Sequence, residues 1–177
     1  MLAAACMAVA ANASTFSWGI TSALDTEKFA SGTAYLFYTS ASSLTLPDTS
    51  SFATKTSFSQ ADITSSGATL YGTGAVVDGV FLSDPETLTS LDGTTGVKRF
   101  YMAVISDDGK EVAIVTSTKT ARIMGSTTAA AASWNASQFA TFTAAAETPD
   151  TPAIPEPTSG LLMLVGLAGL ALRRRRA

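Results

Sequence analysis

The chain has 177 residues, no histidine, one cysteine (Cys6) and a net charge of −3. A single thiol and no imidazole exclude an internal disulfide, a His/Cys metal site and a histidine base for nucleophilic catalysis at neutral pH. Without the four arginines near its C-terminus the charge becomes −7, so the remainder is acidic and lacks the basic footprint of a nucleic-acid binder.

Residues 1–13 are alanine-rich and apolar, and Ala11-Asn12-Ala13 fits the small-x-small pattern ahead of a signal-peptidase cut between Ala13 and Ser14. This leader has no Lys or Arg at its start, which suggests a start codon placed too late. Cys6 reads as a chance leader cysteine, because Ala3 stands where a lipobox prefers Leu.

The body, residues 14–146, reads as β-structure punctuated by Gly, Ser and Thr. Residues 15–20 alternate bulky with small and predict a first strand. Residues 33–39 (Thr-Ala-Tyr-Leu-Phe-Tyr-Thr) predict another, and residues 75–77, 79–82 and 138–143 weaker ones. Residues 23–30 and 60–65 suit short helices or turns. The clearest unit is a hairpin: two β-branched and aromatic runs, 98–105 and 110–116, joined by Ser106-Asp107-Asp108-Gly109, where Gly109 supplies the positive φ. Both runs are apolar on both faces at their centres, which places them inside a sandwich or under a further layer. The tract at 126–132 (Ser-Thr-Thr-Ala-Ala-Ala-Ala) is low-complexity and reads as a mobile loop. The expectation is an all-β fold: one antiparallel, sandwich-like domain of 133 residues, long enough to enclose a core.

Four of the six prolines fall between Pro149 and Pro157, so residues 147–158 read as an extended stalk. Residues 160–172 then form an uncharged apolar run, assigned with residue 159 to a transmembrane helix over 159–172. The run would be roughly 20 Å long as a helix, shorter than the ~30 Å hydrocarbon core, but arginine stems snorkel and the bilayer thins. Residues 173–177 are a basic tail whose Arg173, Arg174, Arg175 and Arg176 resist translocation. They act as the membrane stop and keep the C-terminus cytoplasmic and the body periplasmic.

The order of Pro155-Glu156-Pro157, apolar run and arginine cluster resembles the PEP-CTERM sorting signal of Gram-negative surface proteins. The resemblance covers only the tail, about 154–177. It implies an exosortase as the sorting enzyme that reads Pro155, Glu156 and Pro157, with signal peptidase acting at the other end. It also implies an inner-membrane intermediate and arrival at the cell surface or outside the cell, among exopolysaccharide.

Paired acids at Asp84/Glu86 and Asp107/Asp108 could serve glycoside hydrolysis or hold calcium, yet Asp-Pro and Asp-Asp-Gly are ordinary turn sequences. Trp18, Trp134 and Tyr71 could stack on sugars, although buried aromatics are commoner in small β-domains. The expected protein is therefore not an enzyme and has no catalytic, metal or cofactor-binding residues. Its exported body is structural or adhesive, with a carbohydrate-binding module as the alternative and a carboxylate hydrolase behind that.

Overall fold

The computed structural model describes residues 14–84, 86–88, 96–123 and 130–147, together with Met163–Val165, Leu167 and Arg174. Among these are ten strands: β1 (Ser14–Ile20), β2 (Ser31–Thr39), β3 (Thr69–Val77), β4 (Phe81–Leu82), β5 (Glu86–Leu88), β6 (Gly96–Ser106), β7 (Glu111–Val115), β8 (Lys119–Ile123), β9 (Ala130–Trp134) and β10 (Phe139–Thr143), led by β-branched and aromatic runs such as β2 and β6. The larger sheet runs β10-β7-β6-β2-β3, with β8 also on β6; the smaller joins β4, β5 and β9 to β1. The body is all-β and sandwich-like.

Strand β6 organises the core. Its residues 96–100 pair with β8 and 103–105 with β7, so two short strands follow one another along one edge, while β2 pairs along the other. It is buried continuously from Phe100 to Ser106 because each face has its own cover. Phe100 faces the smaller sheet and stacks on Phe16, ring centroids 5.0 Å apart. Tyr101 points the other way, stacking on Phe37 at 4.9 Å. Its hydroxyl donates to the Ile63 carbonyl and accepts from the Ser65 N–H, each at 2.9 Å. The strandless segment 40–68, with 3-10 turns at Phe52–Thr54 and Gln60–Ile63, is that second cover. Phe52 packs there on Phe58 and on Phe142 of β10.

The predicted hairpin is β6–β7, with Gly109 at φ 68°. Residues 23–30 form a turn and residues 60–63 one of the 3-10 turns. Two features depart from expectation. Ala130, Ala131 and Ala132 are strand residues, not loop; the remainder of that tract lies outside the described residues. They pair with β1 in parallel, from Phe16↔Ala130 to Ile20↔Trp134, so one pairing within the sandwich is not antiparallel. A small side chain suits this position: Ala132 is wholly buried in the core.

A second compact unit runs from Glu147 to Ala177. Its described residues Met163–Val165, Leu167 and Arg174 are helical, and Met163, Leu164, Val165 and Leu167 are exposed. Among the described residues no helix is long and apolar enough to cross a membrane. The leader, the proline-rich stalk beyond Glu147 and most of the 159–172 run lie outside them.

Candidate functional site

Between β3 and β4 lies a two-residue turn, Asp78-Gly79, with both residues at positive φ (50° and 73°), as a type I′ hairpin requires. Val77 and Val80 exchange backbone hydrogen bonds of 3.0 Å across it. Gly79 is irreplaceable for a second reason, since a Cβ there would stand 2.7 Å from the Leu24 carbonyl oxygen. Past this bridge the strands part, β3 into the larger sheet and β4 into the smaller. A groove of about 370 Å³ opens where they separate, lined by Trp18, Tyr71, Thr73, Phe81, Ser83 and Asp84 with Gly72 and Leu82.

The aromatic wall is held from behind. Trp18 is 4 % exposed and packs on Phe81 at 4.6 Å; Tyr71, half-buried, meets Phe16 edge-on at 5.3 Å. Glycines on β3 make the room. A Cβ on Gly74 would fall 2.0 Å from the Phe81 ring, so the ring occupies the place of a side chain. At Gly72 a Cβ would meet nothing nearer than Trp18 Cζ2 at 3.8 Å, which leaves that part of the groove open.

The polar rim comes from the break between β4 and β5. Gly19 pairs with Leu82 but Phe16 with Glu86, a one-residue offset that leaves Ser83 and Asp84 out of the strand ladder. Ser83 remains tied to β1: its N–H donates to the Trp18 carbonyl and its Oγ accepts from the Trp18 N–H, both at 2.8 Å. Asp84 is exposed and makes no hydrogen bond or ion pair with a described residue.

The fold thus brings Trp18 and Tyr71 together and sends Trp134 elsewhere. Trp134 is fully buried, its indole N–H donating to the Ser117 carbonyl at 3.2 Å, with Lys119 Nζ 5.4 Å from its ring centre. The two acid pairs also separate in role. Asp107 and Asp108 form the β6–β7 turn, where the Ser106 hydroxyl (2.6 Å) and the Lys110 N–H (2.9 Å) donate to Asp108 and hold its carboxyl below the usual carboxylate range. Glu86 opens β5, paired with Phe16, and so does not belong to a turn. Among the described residues no group of three or more His, Cys, Asp or Glu is placed to hold a metal ion. Phe81, Thr73 and Ser83 were not singled out by sequence; the Asp78-Gly79 pair between apolar runs is the signal that sets β3 beside β4.

Ser14, on the far side of the expected leader cut, is the first residue of β1. Ala13, the sorting residues Pro155, Glu156 and Pro157, and Arg173, Arg175 and Arg176 of the membrane stop lie outside the described residues, while Arg174 is helical. Residues 153–176 match the PEP-CTERM protein-sorting motif. That match covers the tail and leaves the β-domain unassigned. No curated protein and no solved structure matches the chain significantly.

Proposed function

We propose that this is an exported, non-enzymatic surface or matrix-associated protein, delivered by its tail to an exosortase and using its β-domain for envelope structure or adhesion. The observation that carries the reading is the sorting-motif match over residues 153–176, with Pro155-Glu156-Pro157 inside it. Signal peptidase releases the leader after Ala13. The apolar run then halts in the inner membrane with Arg173, Arg174, Arg175 and Arg176 on the cytoplasmic side, because moving four cations through hydrocarbon costs far more than leaving them behind. Proline fixes φ on both sides of Glu156, so the motif is presented as extended chain that an enzyme can grip. Support for a non-catalytic body comes from composition: the body has neither histidine nor cysteine, and of the Asp107-Asp108 pair the Asp108 carboxylate is taken up by its turn.

Two substitutions in the producing cell separate the parts. Replacing Pro155, Glu156 and Pro157 with alanine is expected to leave a membrane-held, unprocessed chain, and replacing the four arginines with serine to impair retention before processing. Normal processing and surface delivery of the alanine variant would reduce the tail to an anchor and overturn the sorting assignment.

A further inference from the structure

We propose that the groove between β3 and β4 is a binding site for a neutral oligosaccharide. The inference rests on the β-domain alone and does not depend on how the tail is processed. Its ~370 Å³ is at the small end of the ~300–1,000 Å³ range of ligand pockets, room for about one or two sugar rings.

A pyranose offers an apolar C–H face and a girdle of hydroxyls that each donate and accept. The groove supplies the complement of both. Tyr71 and Phe81, half-buried, give an aromatic surface whose backs are fixed by Phe16 and Trp18, so little side-chain entropy remains to be lost on binding. At the rim the Asp84 carboxylate is an acceptor only and is not engaged by any described residue. Beside it Ser83 Oγ already accepts the Trp18 N–H, which leaves its own hydrogen to be donated outward. One sugar hydroxyl can therefore donate to Asp84 while a neighbour accepts from Ser83. The same carboxylate, on a chain whose exported part carries −7, works against uronates and sulfated sugars. Gly72 completes the assignment, since the space its missing side chain leaves is the space the ligand takes.

The test uses the full-length chain in micelles of a non-glycosidic detergent, titrated calorimetrically with cellotriose, maltotriose, laminaritriose, mannotriose, chitotriose and, as an anionic comparison, trigalacturonate. Trp18 lines the groove and Trp134 is buried apart from it, so a bound sugar also changes the fluorescence of one tryptophan and not the other. At least one neutral trisaccharide is expected to bind saturably. Gly72→Leu, whose Cβ would meet no backbone atom within 4 Å and whose remaining carbons occupy the groove, should abolish that binding, and Asp84→Asn should weaken it roughly ten-fold. Melting curves establish that each variant is folded. Should Gly72→Leu fail to fold, Asp84→Asn on the exposed rim decides by itself. Absence of binding by every neutral sugar at 10 mM ligand (about the weakest affinity of interest), binding of the anionic sugar alone, or affinity unchanged in both folded variants overturns the proposal.

Discussion

Removing one oxygen atom from the core tests how the strandless segment 40–68 is held to the larger sheet. Tyr101 is fully buried, and its hydroxyl joins the Ile63 carbonyl to the Ser65 N–H through two bonds of 2.9 Å. Tyr101→Phe keeps the ring on Phe37 and deletes only that junction. Two hydrogen bonds of about 1 kcal/mol each are lost, and two backbone groups are left to find other partners at about 1–3 kcal/mol each where water cannot reach. Partial relaxation brings the expected cost to roughly 2–3 kcal/mol, or about 6–12 °C in Tm for a domain of this size. A second signature comes from proton linkage. Burial pushes the Tyr101 hydroxyl up from 10.0 to about 12, against the lowering effect of the Ser65 N–H. A group whose folded pKa is raised contributes stability fully present below its unfolded value and lost as pH rises through the folded one. Chemical-denaturation free energies measured from pH 9 to about pH 12 should therefore fall more steeply for the native chain than for Tyr101→Phe, which has nothing to ionise there. A loss below about 0.5 kcal/mol, or identical alkaline slopes, would show that segment 40–68 is held by its apolar contacts and not by this hydroxyl.

Gly79→Ala should destabilise the domain by more than about 2 kcal/mol in urea titrations, because it combines a φ of 73° with a Cβ 2.7 Å from backbone; a smaller effect would mean the β3–β4 hairpin bends easily. Gly74→Ala must displace the Phe81 ring and should cost about 1–3 kcal/mol, whereas Gly72→Ala should fall within about 0.5 kcal/mol, and equal effects would refute the packing described for the groove. Asp108 is held low by the Ser106 hydroxyl and the Lys110 N–H. Asp62 is raised by partial burial but carried below its usual value by Lys55 and Ser59. Depressed carboxylates contribute stability above 3.8 that is lost as pH falls through their folded values, so Asp62→Asn/Asp108→Asn should flatten the acid limb of stability below about pH 4, and an unchanged limb contradicts this. N-terminal sequencing of exported protein should read Ser-Thr-Phe-Ser from Ser14; a chain retaining Cys6 would reopen the lipoprotein reading.

The strands and the tail were legible in the sequence because their signals are local. β-branched and aromatic runs between turn residues mark β2, β6 and β7, Gly109 marks the turn, and proline, apolar run and arginines follow one another without interruption. The apolar character of both faces of β6 already required two covering layers. Which layers they were could not be read, because segment 40–68 has no periodicity and is ordered by distant contacts such as the Tyr101 hydroxyl with Ile63 and Ser65. The alanine tract shows the same limit. Alanine has low intrinsic strand preference, and Ala130, Ala131 and Ala132 became strand through pairing with β1, more than a hundred positions earlier. The groove lies furthest from the sequence. Trp18, Tyr71, Phe81 and Asp84 come from three separate stretches of chain, and they meet only because a two-residue turn sends β3 and β4 into different sheets while two glycines leave the space between them. Local propensity specified the elements, and long-range pairing and packing decided which side chains share a surface.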